Sequence, residues 1–227
     1  MVEVLDLGCG VGSFCKEVAL KLPHSKITGL DVSPQAIKSA NRSKLSENVS
    51  FVHADFDNWD PPGLYRWVVA INSLQYSSSL SILINKIFSW MPEGGYFFIK
   101  IPNEKNCLPF KRALDDTKKR YRHFINFLNK EFYEYNPTSS VVKCFLDEAG
   151  FRQIYFLESD EVRWYQTKKV LEHWLLSSAV GRTRLSGFAQ NRDSTWLQYL
   201  QLRLEHYAAS GGKYSIKFSS TEALLTK

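Results

Sequence analysis

The segment Val4-Leu5-Asp6-Leu7-Gly8-Cys9-Gly10-Val11-Gly12 holds the residue types and spacing most able to do chemistry. Glycines let the main chain turn sharply, and they let a ligand approach the backbone N–H groups closely. Spacing decides which ligand. A dinucleotide turn needs G-x-G-x-x-G, which would put its third glycine at position 13. That position is Ser13, and the glycine comes one residue early, giving G-x-G-x-G. Asp6 stands at the strand end, where a pyrophosphate would be repelled. A ligand with a cationic sulfonium and an amino-acid group, and without phosphate, suits this loop better.

Two further carboxylates follow in order. Asp31 ends the second apolar run, and its carboxylate can accept from both hydroxyls of a ribose. Asp55 comes just past the third run and can accept from an adenine amino group, with Phe56 presenting backbone to the ring edge. Aspartate also caps turns, so either residue taken alone reads equally well as a turn residue. All three features, in order at successive strand ends, favour a bound nucleoside.

The elements that must position these residues alternate. Val2–Leu7 suits a buried parallel strand. A helix over Ser13–Leu22 follows, with Phe14, Val18 and Leu22 four apart on one face. Ile27–Leu30 is a second strand, and Ser33 as N-cap with Pro34 behind it opens a second helix. Val49–Ala54 and Trp67–Ile71 are strands three and four. Leu80–Met91 is a helix with Leu80, Leu83, Ile84, Ile87, Phe88 and Met91 facing inward. Pro92-Glu93-Gly94-Gly95 stops it, and Tyr96–Ile101 is the fifth strand. This rhythm predicts an α/β fold, a parallel sheet with helices on both faces. A helical insertion, about 103–140, breaks it after strand five. A helix at Val141–Ala149 and a strand at Phe151–Leu157 resume it. Helices near Thr167–Ser178 and Ser194–Ala209 and a final strand at Tyr214–Leu225 complete the chain.

The glycine loop, Asp31, Asp55 and the run Asn72-Ser73-Leu74-Gln75-Tyr76 after strand four resemble, in order, the motifs of class I S-adenosylmethionine (SAM)-dependent methyltransferases. Within that superfamily the chain is similar to the trans-aconitate and malonyl-carrier-protein methyltransferase group. Four stretches carry this likeness: Ser73–Tyr76; Phe145–Phe151; His173-Trp174-Leu175; and Tyr207 through Gly211-Gly212 into the last strand. The resemblance implies a Rossmann-like, seven-stranded, mostly parallel sheet, with the last strand antiparallel beside the fifth. It implies SAM bound by Asp6, Gly8, Cys9, Gly10, Gly12, Asp31, Val32, Asp55, Phe56 and Asn72. Gln75 and Tyr76 would face the methyl group as the catalytic pair. Trp164, Tyr165 and Trp174 are candidate walls of the acceptor pocket, and Trp174 reads at least as well as a core residue. The resemblance implies a helical cap segment upstream of strand one; strand one here begins at Val2, so either the chain is a truncated or unusual version or the pocket closes differently.

Composition bounds the rest. The 227 residues are 44% hydrophobic and 23% charged, ordinary for a globular chain, and 1–227 reads as a single domain. No apolar run approaches the roughly 20 residues of a membrane span. The start lacks the parts of a signal peptide. Cys9, Cys15, Cys107 and Cys144 form no CxxC pair, which points to a reducing cytoplasm. The five histidines have no metal spacing, so no metal is expected, and His53 in strand three is a candidate core residue. From Asn103 to Lys130 there are eight Lys/Arg against three Asp/Glu. That is either a solvated helix face or a surface for an anionic or carrier-bound acceptor. The expected function is methyl transfer to a small molecule, with a carboxylate (O-methylation) as candidate acceptor. No nucleic acid is expected, because no base-stacking motif is present. A nucleic-acid or protein methyltransferase and a catalytically idle scaffold are the alternatives.

Overall fold

The computed structural model describes residues 2–43, 46–121, 135–165, 195–210 and 213–227. The first half alternates as expected: β1 (Glu3–Leu7), α1 (Ser13–Lys21), β2 (Lys26–Asp31), α2 (Pro34–Arg42), β3 (Val49–His53), β4 (Trp67–Ile71), α3 (Leu80–Ser89) and β5 (Tyr96–Pro102). Next come α4 (Leu108–Arg120), α5 (Ser139–Glu148), β6 (Arg152–Tyr165), α6 (Thr195–Ala208), β7 (Ala209–Ser210) and β8 (Lys213–Thr226). The sheet order is β3-β2-β1-β4-β5-β8-β6, and the two-residue β7 pairs with β8 off that path. Strands β1 to β5 run parallel, and β8 lies antiparallel to β5. The seven-stranded sheet with its antiparallel strand beside the fifth is therefore present. The helix expected near Thr167–Ser178 lies outside the described residues, as do His173-Trp174-Leu175 and Gly211-Gly212.

Register shows why these residues form two covered faces. Leu5 pairs with Val68, Val68 with Phe97, and Phe97 with Leu225. One pleat on, Leu7, Ala70, Ile99 and Ala223 make a second apolar row. Both rows pack beneath α3 and α5 in the larger core. On the other face, Val4 pairs with Ile27 and Ile27 with Val49, and this row joins Cys15 and Ala19 of α1. Period-two alternation thus gives β1 an α1 face (Val4, Asp6) and an α3 face (Leu5, Leu7). Ser33 caps α2 by accepting from the Ala36 amide at 3.2 Å, with Pro34 behind it, as the sequence signals.

Three differences have local causes. The line that α1 buries is Cys15 and Ala19, flanked by Phe14 and Val18, while Leu22 is exposed. Small residues take the contact because α1 lies close over Gly29, whose added Cβ would meet the Cys15 sulfur at 2.9 Å. Strand β6 runs to Tyr165 rather than Leu157, because its Ser159 and Asp160 side chains bond to Ser220, Glu222 and Ser219 of β8. His53 is exposed, not core, and its ring nitrogen bonds the Val32 carbonyl at 3.0 Å.

Two compact units divide the chain. One is Met1–Glu104, Glu134–Ser159 and Ser220–Lys227; the other is Lys105–Tyr133 and Asp160–Ser219. In the second, α4 packs on α6 through Phe110, Ala113, Leu114, Leu200 and Leu204. Arg203 and Tyr207 there hold Asp116 at 2.5 and 2.7 Å.

The loop glycines separate by what a side chain would meet. An added Cβ on Gly8 would fall 2.3 Å from the Ser73 Cβ, whereas one on Gly10 meets nothing within 4 Å; both have positive φ. Gly10→Ala should cost only the left-handed penalty, about 1–2 kcal/mol. Gly8→Ala should cost about 1–3 kcal/mol more through overpacking. Urea unfolding of both variants checks the order, and equal losses would contradict it.

Candidate functional site

The first unit brings the predicted residues to one edge of the sheet, the carboxyl ends of β1 to β4. Here the connections reverse direction, because β1 lies between β2 and β4, and open α/β sheets place ligands at such a switch point. The glycine loop is fastened to β2. The Gly8 and Cys9 amides donate to the Leu30 carbonyl at 2.7 and 2.9 Å, and the Gly10 amide donates to Asp31 Oδ2 at 2.8 Å. Gly8, Gly10 and Gly12 all have positive φ (76°, 56° and 78°), which glycine adopts without a steric penalty. Gly12 packs under β3, where an added Cβ would lie 2.4 Å from the Phe51 ring. Gly10 alone of the three leaves open space beyond its Cα.

Asp31 uses one lone pair of each oxygen on backbone, taking Gly10 N on Oδ2 and Ser33 N on Oδ1 at 2.8 Å each. Each oxygen keeps capacity for a further donor. Asp55 is exposed and caps its own turn, accepting from the Asp57 amide at 3.0 Å and Asn58 Nδ2 at 2.9 Å. Both turn-capping and ligand-facing readings therefore fit the same carboxylates. Val32 is exposed beside Asp31, and Phe56 is half-buried against the larger core.

The β4 end is unusual. Asn72 has φ 53°, a left-handed conformation that asparagine tolerates better than other non-glycine residues. Gln75 is 3% exposed, its Nε2 donates to the Asn72 carbonyl at 2.9 Å, and its backbone carbonyl accepts from the Tyr135 amide at 2.8 Å. Ser73 Oγ and Gln75 Oε1 are buried without a hydrogen-bond partner. Tyr76 is 36% exposed. The expected catalytic pair is thus split, with Gln75 inside the turn and Tyr76 outside it. Trp164 is exposed and Tyr165 is buried in the second unit, while Trp174 lies outside the described residues. Among the described residues no cluster of three His, Cys, Asp or Glu could hold a metal.

Sequence reasoning missed Asp57. Its carboxylate accepts from Ser77 Oγ and the Ser78 amide at 2.6 Å each, tying the loop after β3 to the turn after β4. No spacing rule marks such a contact between distant loops. It also missed the environment of Asp6, which is 4% exposed and accepts from the Cys15 thiol at 3.1 Å. Burial pushes its carboxyl up to about 6; the Cys15 hydrogen bond works against this and the Asp31 charge adds to it.

A carboxyl whose folded pKa lies above its unfolded value binds more protons in the folded state between the two. Its contribution therefore disfavours folding increasingly as pH rises from about 4 to 6. Asp6→Asn removes that dependence. The stability of the variant relative to the parent should grow through this window, by an amount of order 3 kcal/mol, and stay flat above pH 7. Denaturant unfolding from pH 4 to 8 checks it. A difference that is constant or shrinks with pH would contradict the burial argument.

The family model of a methyltransferase domain matches residues 1–169. Malonyl-[acyl-carrier protein] O-methyltransferase 1 of Ilyobacter polytropus is 26% identical over 128 residues, 56% of this chain and 47% of that protein. Trans-aconitate 2-methyltransferase of Paracidovorax citrulli is 35% identical over 105 residues, 45% of this chain and 40% of that protein. The chain spans about half the length of the curated relatives it matches. Among solved structures, Haemonchus contortus phosphoethanolamine N-methyltransferase 2, bound to phosphomonomethylethanolamine and S-adenosylhomocysteine, superposes with TM-score 0.59 at 14% identity. The alignment covers all of this chain and 48% of that one. The [4+2]-cyclase SpnF superposes equally well, with TM-score 0.60 at 16% identity over all of this chain and 75% of that one. These likenesses show the fold, which hosts more than one chemistry. Its 169 matched residues, with the glycine loop and the carboxyl ends of five parallel strands among them, make the chain a member of the methyltransferase-domain family.

Proposed function

We propose that the chain transfers a methyl group from SAM to a small-molecule acceptor. The observation that carries this is the open space over Gly10, in a loop bonded to Asp31 and flanked by the strand ends that bear Asp55 and Asn72. The residues present fit that cofactor. Gly10 leaves room for an amino-acid moiety against the backbone, Asp31 retains acceptor capacity for ribose hydroxyls, and Asp55 with Phe56 offers an edge for adenine. SAM supplies a methyl carbon activated by a sulfonium, open to in-line displacement. The protein's own part is orientation and exclusion of water. Gln75 holds the β4 turn by bonding the Asn72 carbonyl, and the exposed Tyr76 is the member of the pair able to touch an acceptor.

A carboxylate is the acceptor this reading favours. Two relatives are named for malonyl-carrier protein and trans-aconitate, both carboxylic acids. A carboxylate is ionised at neutral pH and is itself the nucleophile, so the step asks no proton transfer of the protein. The basic residues Lys111, Arg112, Lys118, Lys119 and Arg120 of α4 suit an anionic or carrier-bound molecule. Cys9, Cys15, Cys107 and Cys144 are thiols rather than disulfides, which suits a reducing compartment such as the cytoplasm. No helix among the described residues is long and apolar enough to cross a membrane.

Calorimetric titration with SAM, followed by label transfer from methyl-labelled SAM to a panel of carboxylates, amines and hydroxyl compounds, tests the reading. Asp31→Ala should weaken SAM binding by about 1.5–3 kcal/mol, the range for a hydrogen bond to a charged group. Asp31 also holds the Gly10 amide, so the decisive comparison uses a SAM analogue without ribose hydroxyls. If Asp31 takes those hydroxyls, the substitution should cost much less for the analogue than for SAM. Equal losses would mean that Asp31 acts only on the loop, and label appearing only on amines would overturn the carboxylate assignment.

A further inference from the structure

Beneath the glycine loop lies a pair of thiols that methyl transfer does not use. On the α1 face of the sheet, Asp6, Gly29 and Phe51 form one row in register. Because Gly29 has no side chain, its place is taken from above. The sulfurs of Cys9 and Cys15 each stand 2.9 Å from the point that a Gly29 Cβ would occupy. Cys15 is fully buried near the start of α1, and its thiol donates to Asp6 Oδ2 at 3.1 Å. Cys9 is half-buried in the loop itself, between Gly8 and Gly10, and has a long contact of 3.7 Å to the Gly10 carbonyl. A hydrogen bond between the two thiols, then burial, pushes the Cys15 thiol far up from its ordinary range. Cys15 is thus an inert thiol by itself and reacts only if its proton has a base to go to, which Asp6 provides.

We propose that Cys9 and Cys15 form an oxidative modification site, in which a peroxide converts the two thiols to a disulfide and thereby closes the cofactor loop. The chemistry balances with hydrogen peroxide as the oxidant. Cys9, the more accessible sulfur, is oxidised to a sulfenic acid as the O–O bond breaks and one water leaves. The Cys15 sulfur then attacks the Cys9 sulfur, forming the S–S bond and breaking the S–O bond. The thiol proton passes by way of Asp6 to the departing hydroxide, giving a second water. Two thiols and one peroxide give one disulfide and two waters.

The consequence follows from geometry. An S–S bond of about 2.0 Å draws Cys9 down onto α1, takes the thiol donor from Asp6, and pulls on the Gly10 amide bonded to Asp31. Only this effect on SAM rests on the function proposed above. The disulfide itself is independent of it.

The full chain, reduced and then treated with hydrogen peroxide, tests the site. The tryptic peptide ending at Lys16 carries both cysteines. It should become lighter by two hydrogens, resist alkylation, and recover both properties with dithiothreitol. SAM affinity should fall at least tenfold on oxidation and return on reduction, and Cys9→Ser should show neither change. A peptide that stays alkylatable, or gains oxygen without losing hydrogens, overturns the site. A disulfide that leaves SAM affinity unchanged overturns its effect on the loop. If the reduced protein binds no SAM, the proposed function fails, and the peptide mass still decides the pairing.

Discussion

The structure depends on β1 being hydrogen-bonded to parallel partners on both sides. Leu7 pairs with Leu30 of β2 on one side and Ala70 of β4 on the other. The turn that leaves β1 must therefore pass between two strand ends, with neither flank to expand into. Gly8 meets this on the β4 side, where Ser73 approaches too closely for any Cβ, and Gly12 meets it beneath Phe51 of β3. The amides of Gly8, Cys9 and Gly10 all turn toward the β2 end, to Leu30 and Asp31. Confinement of the loop creates the open face over Gly10. A switch point would exist in any sheet of this order; these contacts give it the particular shape seen here.

That confinement also explains the polar cost tolerated beside it. Asp6 sits on the α1 face of β1, buried, with one thiol donor. Ser73 Oγ and Gln75 Oε1 are buried without partners at the end of β4. Buried polar atoms of this kind are destabilising unless satisfied. Such local violations are expected where a site has been built at the expense of stability. In the second unit Asp116 is satisfied by both Arg203 and Tyr207, and α4 and α6 bury an apolar face.

Much of this was readable in the chain. The alternation of apolar runs with capped helices located β1 to β5 to within a residue or two, because period and turn chemistry are local properties. The glycine spacing and the place of Asp31 at the end of β2 are legible for the same reason. What escaped were contacts between segments far apart in sequence. Leu22 fits the apolar spacing of α1, yet Cys15 and Ala19 take the sheet, since Gly29 on another element sets how near the helix may come. His53 looks like a core residue of β3, but it lies on the side that reaches Val32. The hydrogen bond from Gln75 Nε2 to the Asn72 carbonyl inside the β4 turn has no signature in the sequence. Asp57 and the Cys9–Cys15 pair carry no pattern at all until the strands are in register.

The proposed function requires the open space over Gly10 to receive the amino-acid end of SAM and Asp31 to receive its ribose. A crystal structure of the chain with S-adenosylhomocysteine tests this most directly. The ribose hydroxyls should lie within hydrogen-bonding distance of Asp31 and the amino-acid moiety against Gly10. The product bound elsewhere on the chain, or bound here with its ribose turned away from Asp31, would contradict it.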